Sequence, residues 1–234
     1  MKKILMLLAL FTMGIVFAEN AAPAAAPAAP AATSYENYPV SYFQIGIWYK
    51  FPRSQMESNV IGVKSGWPMC AGTGSVTGLE ASWLGSLTQH IIGAQLGWTV
   101  AYNHDIEGLQ ATLITCINRD KFDGVQLSPI FNKAGDMTGL QASSINVSKN
   151  FTGFQPAAIM NISDDLVGFQ ACFIVNVAKN VTGLQASIIN KAEESDCQLG
   201  LINVSKKGFQ VGLLNFMDNG FLPCFPIVNF SCGD

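Results

Sequence analysis

Residues 168–190, GFQACFIVNVAKNVTGLQASIIN, set one polar side chain between apolar neighbours again and again. Gly168-Phe169-Gln170-Ala171 returns fifteen residues later as Gly183-Leu184-Gln185-Ala186, and Val175-Asn176-Val177 returns as Ile189-Asn190. Apolar–polar–apolar is the period-two signature of a short, half-buried strand. The pattern therefore predicts two short strands per repeat, one centred on glutamine and one on asparagine.

The repeat persists. Gly, an apolar residue and Gln occur together at Gln95, Gln110, Gln126, Gln141, Gln155, Gln170, Gln185 and Gln210. Gly78-Leu79-Glu80 reads as a variant, and Cys197-Gln198-Leu199 keeps the glutamine but loses the glycine. Successive glutamines stand 15, 16, 15, 14, 15, 15, 13 and 12 residues apart. From Gln110 onward each glutamine is followed by an asparagine: Asn118, Asn132, Asn146, Asn161, Asn176, Asn190, Asn203 and Asn215, at offsets of 8, 6, 5, 6, 6, 5, 5 and 5. A fixed short period of this kind marks a stacked architecture.

On one continuous strand, changing the offset from five to six would throw the asparagine onto the opposite face. A corner between Gln and Asn removes the conflict, and small residues (Ser143-Ser144, Ala157-Ala158, Ser187) fall there beside Pro156. Charged pairs before the glycine, such as Asp164-Asp165 and Lys206-Lys207, mark a second, solvated corner. Two strands and two corners in about fifteen residues describe one coil of an all-β solenoid. Roughly nine or ten such coils between residues 76 and 218 would form a rod about 45 Å long. In this reading the apolar neighbours of each amide fill the interior, and the Gln and Asn side chains form outward or corner ladders, each amide donating to the next. The alternative is an up-and-down antiparallel β-barrel, with pairs such as Lys149-Asn150 as hairpin turns, acting as an outer-membrane pore or anchor.

The ends differ from the repeats. MKKILMLLALFTMGIVFA, residues 1–18, has the basic start, apolar run and small terminal residue of a cleaved secretory signal. Its apolar run is shorter than the roughly 20 residues of a membrane-spanning helix. Residues 19–37 are rich in Ala and Pro and read as a spacer, leaving 38–234 as one repeat domain. Export puts the chain at the cell surface, in the outer membrane or in the periplasm.

Charge narrows the classes. Of all residues only 12% are charged and 49% are hydrophobic. Removing Lys2 and Lys3 leaves 11 basic against 16 acidic residues, a balance of −5. No basic patch occurs, so phosphate-based nucleic-acid binding is set aside. The surface is expected either to be covered by uncharged polar groups or to face lipid.

The repeats resemble those of bacterial surface-repeat proteins of the leptospiral type, which read close to V-x-G-L-Q-x-x-x-x-N-V-A. Val181-Thr182-Gly183-Leu184-Gln185 and Val175-Asn176-Val177-Ala178 carry the likeness. The ending, Gly220 to Phe230, and the opening, Phe43 to Tyr49, are similar to the closing and starting phrases of that family. The resemblance implies export and an envelope location, and it brings no catalytic residues. The chain departs from the family pattern where Ala or Ser follows Gln and where Cys197 stands for the repeat glycine.

Catalytic and metal-binding chemistry is sparse. There are two histidines, His90 and His104, and no GxSxG, HExxH or Walker loop. His104-Asp105, Asp164-Asp165 and Glu193-Glu194 read as solvated turn charges, so no enzyme, metal or cofactor is expected. The six cysteines show no CxxC; most read as buried thiols, with Cys224–Cys232 the pair to test first. Six Asn-x-Ser/Thr triplets begin at Asn146, Asn150, Asn161, Asn180, Asn203 and Asn229, and read as by-products of the repeat rather than glycosylation sites. Trp48, Trp67, Trp83 and Trp98 crowd the first half and read as stack caps. Their functional alternative is a protein- or glycan-binding patch. The expected role is a non-enzymatic exported surface module, structural or adhesive, whose partners are protein or glycan, with membrane association and oligomeric state left open.

Overall fold

The computed structural model describes residues 37–49 and 51–231. The signal segment, nearly all of the Ala/Pro spacer, and Cys232 lie outside the described residues. Among the described residues seventeen strands form one sheet, from Val40–Gly46 to Cys224–Phe230, with one short 3-10 turn at Arg53–Gln55. The chain winds as a β-solenoid of about 12 turns, about 55 Å long at the usual inter-strand spacing. That exceeds the nine or ten coils expected, because residues 40–75 already wind in the same sense ahead of the regular repeat. The strand Val40–Gly46 pairs parallel with Asn59–Gly66, and that strand with Met69–Ser82.

Parallel pairing at one-coil separation overturns the barrel. Strand Asp165–Cys172 pairs parallel with the preceding coil, Gln170 against Gln155 and Gly168 against Gly153. It pairs equally with Asn180–Ala186 in the next coil, Gln170 against Gln185. The shorter strand Val175–Val177 pairs with Ile189–Lys191, Asn176 against Asn190. An up-and-down barrel would require consecutive fifteen-residue units to run antiparallel. Among the described strands, antiparallel pairing joins Lys207–Met217 to Cys224–Phe230. That reversed strand closes the stack, and Pro226 within it removes a backbone donor from the exposed edge.

The glycine before each repeat amide has a steric cause. Gly153 has φ +133°. A Cβ on it would collide with the carbonyl oxygen of Gly139, the equivalent glycine one coil earlier. Cys197 does not replace a glycine, as its sequence position suggested. It pairs with Leu184 and Phe209, so it occupies the apolar position, and this coil is one residue short. The Asp196 carboxylate fills the gap by accepting from the Gly183 N–H at 3.0 Å.

The faces are inverted relative to the sequence reading. All nine ladder glutamines from Gln95 to Gln210 are buried at 0% exposure, as are the asparagines from Asn132 to Asn215. Their apolar neighbours turn outward: Phe154 is 42% exposed and Phe209 43%. The apolar core is a separate column two residues before the repeat glycines from Gly78 to Gly183, including Val76, Ile91, Ile106, Phe122, Phe151, Leu166 and Val181. Unpaired amides would make such an interior costly. Stacked in register, each finds partners in the coils above and below, and the cost is offset.

Candidate functional site

Two amide ladders run through the interior with opposite polarity. In the glutamine ladder each Nε2 donates to the preceding coil: Gln110 to Gln95 at 2.9 Å, Gln141 to Gln126 at 2.7 Å, Gln170 to Gln155 at 2.8 Å, Gln198 to Gln185 and Gln210 to Gln198 at 2.9 Å. Gln126, Gln155 and Gln185 continue the same direction. In the asparagine ladder each Nδ2 donates to the following coil: Asn146 to Asn161 at 2.9 Å, Asn161 to Asn176 at 3.0 Å and Asn203 to Asn215 at 2.8 Å. Asn132, Asn176 and Asn190 do likewise.

Each direction is set locally. The corner between the two strands leaves main-chain carbonyls turned inward, and the asparagine amide clasps them. Asn161 Nδ2 donates to Gln155 O at 2.9 Å and to Ala171 O at 3.0 Å. With Nδ2 held there, Oδ1 must face the preceding coil. The glutamine ladder ends at Glu80, which in its ionised form only accepts hydrogen bonds, so Gln95 must donate to it, at 2.8 Å. Glu80 lies 3.8 Å from the buried Lys64 ammonium, and Thr88 donates to it. Lys64 donates to Ala71 O at 2.8 Å and to Thr88 Oγ1 at 3.1 Å. Burial pushes the Lys64 amine below its ordinary value, and Glu80 acts against that.

Asn118 is not part of the asparagine ladder. Its offset of eight places it beside Asn103, while Cys116 pairs with Asn132. Asn118 is buried, and neither its Nδ2 nor its Oδ1 has a protein hydrogen-bond partner.

Outside, chemistry separates between two edges. Between every ladder glutamine from Gln126 to Gln210 and the next ladder asparagine the sequence contains no charged residue, and none occurs in the corresponding stretches 96–103 and 111–118. That half of the coil forms an apolar edge, including Leu113 at 54% exposure, Phe173 at 73%, Leu201 at 54% and Leu213 at 64%. The other corner collects the charges. Lys179 meets Asp164 at 2.8 Å, Lys206 meets Glu193 at 3.1 Å, and Lys207 meets Glu194 at 2.9 Å, each across adjacent coils. His104 meets Asp120 at 2.9 Å and His90 meets Asp105 at 3.1 Å, so the His104-Asp105 neighbours point to different partners. Among the described residues no three His, Cys, Asp or Glu side chains converge in a metal-binding arrangement.

The tryptophans are placed on the side of the rod. Trp67, Trp83 and Trp98 continue the apolar edge, one per coil, with ring centroids 5.2 Å and 4.5 Å apart. The rings of Trp83 and Trp98 stack on each other, so much of the face a sugar ring would stack on is already used. They border a groove of about 560 Å³ that also includes Leu96 and Leu113. Trp48 lies apart, bridged to Phe51 in the turn after the first strand, where Gln55 Nε2 donates to the Phe51 carbonyl at 2.6 Å.

Of the Asn-x-Ser/Thr asparagines, Asn146, Asn161, Asn203 and Asn229 are buried at 0% exposure. The described cysteines Cys70, Cys116, Cys172, Cys197 and Cys224 are free thiols. The apolar edge is what the amide motif hid. Its signal was two large apolar residues side by side in the Gln–Asn gap, as in Phe173-Ile174 and Leu213-Leu214, where only small corner residues were sought. No protein-family model matches this chain, and neither a curated protein nor a solved structure matches it.

Proposed function

We propose that this chain is an exported, non-enzymatic module of the bacterial envelope, a stiff rod that works by presenting its apolar edge to a partner. The carrying observation is the division of labour around each coil. The amides lie inside, binding coil to coil, and the charges gather along one edge, where several pair across adjacent coils. The remaining edge presents large apolar side chains on nearly every coil, a surface above the few hundred Å² of contiguous apolar area that a soluble monomer usually exposes. Export and envelope location rest on residues 1–18 and on the resemblance to surface-repeat proteins.

The test is cell fractionation with protease shaving. Full-length protein should mature by cleavage near residue 18, seen by intact mass, and partition with the envelope. A variant with Phe173, Leu201 and Leu213 changed to Ser should be exported equally but released to the soluble fraction. Equal retention of that variant would remove the edge from the function.

A further inference from the structure

The edge has a property that an ordinary apolar patch lacks: its main chain carries its hydrogen bonds along the rod. Leu113 N donates to Trp98 O at 3.3 Å, Leu201 N to Ile188 O at 3.0 Å, Leu214 N to Leu201 O at 2.8 Å, and Ile189 N to Ile174 O at 2.9 Å. From inside, the asparagine amides clasp further corner carbonyls, Ala171 O and Leu199 O among them. A surface can enter hydrocarbon when its backbone polar groups are satisfied within the protein. Loops joining strands seldom meet that condition. Here much of the corner main chain meets it, because corners are paired to the corners above and below.

The shape and charge agree with this. Along the edge one residue in several coils protrudes: Phe173, Leu213 and Trp67 are 73%, 64% and 66% exposed, against 42% for Phe154 on the flat strand face. Two convex ridges meet along a line and bury little, whereas a fluid apolar phase closes around a ridge. With roughly half of each side chain exposed over ten coils, the area offered is on the order of 1,000 Å². The opposite edge is charged and faces away. Its lysines Lys121, Lys179, Lys206 and Lys207 pair with acids. Over residues 104–207 ten Asp and Glu stand against eight Lys and Arg, so the edge is not the basic stripe with which an amphipathic surface helix reads anionic headgroups.

We propose that the partner of the edge is a lipid surface. The rod lies in the plane of one leaflet with Trp98, Leu113, Phe173, Leu201 and Leu213 in the acyl boundary and the paired charges in water. Binding is by apolar burial, so it is indifferent to headgroup charge and to salt. This rests on the reading of the edge as the working surface and names its partner.

The experiment is flotation of the mature chain, residues 19–234, with vesicles of phosphatidylcholine alone, and with phosphatidylcholine containing phosphatidylglycerol, at low and high salt. The protein should float equally with both vesicles, and raising the salt should leave the bound fraction unchanged. Changing Leu113, Phe173, Leu201 and Leu213 to Ser should lower the bound fraction about ten-fold, with circular dichroism and melting unaltered. Binding that requires the anionic lipid and disappears in salt would overturn the proposal, as would flotation untouched by the four changes. If the protein does not float with either vesicle but the four changes halve its mass in light scattering, the lipid assignment fails while the edge remains the working surface, facing a second copy. If the changes alter neither flotation nor mass, both readings fail.

Discussion

Gln95 donates its side-chain amide to Glu80 at 2.8 Å, and with that bond the glutamine ladder ends on a carboxylate. Every glutamine above points its donors the same way, so the ladder presents a row of aligned amide dipoles. An anion at the donor end is the favourable arrangement, as it is at a helix N-terminus. Lys64 then balances the charge from the next coil down. Glu80→Gln alone should destabilise by about 3–5 kcal/mol, because it leaves the buried ammonium unpaired. The double change Lys64→Gln with Glu80→Gln extends the repeat's own residue and should return to within about 2 kcal/mol of wild type. Urea unfolding of the three proteins checks this, and a double variant as weak as the single one would refute it.

Two asparagines with the same local pattern should respond with opposite sign. Asn146 donates to Gln141 O at 3.2 Å, Pro156 O at 2.7 Å and Asn161 Oδ1 at 2.9 Å. Asn146→Ala strands these acceptors and should cost about 3 kcal/mol. Asn118 carries a buried amide with no protein partner. Asn118→Ala should leave stability unchanged or raise it by about 1 kcal/mol. Chemical unfolding midpoints distinguish the two.

The glycine column should be intolerant of a methyl group. Gly153 combines a positive φ with the Gly139 carbonyl against its missing Cβ. Gly153→Ala should cost about 3 kcal/mol or more, from conformation and clash together. At Gly85 an added Cβ would lie 3.4 Å from the Val100 carbonyl, and the backbone is not in the left-handed region. Gly85→Ala should therefore stay within about 1 kcal/mol of wild type. Thermal melts of both variants give the comparison.

Alkali should weaken the fold through its buried thiols. Burial pushes the Cys116 thiol up from 9.0 to about 12, with bonds from Thr112 opposing, and burial pushes Cys70 up as well. Between those values the unfolded chain releases a proton that the native thiol keeps. The native contribution is thus complete below pH 9 and is lost as pH rises toward 12. Cys116 alone should account for about 2 kcal/mol between pH 8 and 10.5. Lys64, lowered by burial, acts in the opposite sense in the window below 10.5, but it is one group against two. The check is the slope of urea stability against pH, which should be shallower in Cys116→Ala; parallel slopes would exclude the thiol.

The winding itself was legible in residues such as Gly168, Gln170 and Asn176, because a stack repeats its residues at each level. Gln and Asn also declared the two strands and the corner between them. Which face lay inside was not legible. Phe169-Gln170-Ala171 alternates, and alternation separates two faces without saying which is buried. Preferring the apolar face for the interior was the ordinary expectation, and it failed here. The apolar residues that do fill the core, such as Phe151 and Leu166, are single positions per coil that the amide motif overshadowed. Asn118 was drawn into the wrong column for a related reason: its offset is visible in the chain, but its neighbours are visible only in the fold.

From the chain alone come the period, the two-strand coil and the separation of charged from uncharged half-coils between successive amides. Those are properties of one repeat and its copies, and local sequence carries them. Burial of the amides, the opposed directions of the two ladders, the Lys64–Glu80 terminus and the apolar edge belong to the stack. The ladder amides are tolerated inside because their neighbours one coil away are amides in register, and that condition exists only after the coils have come together.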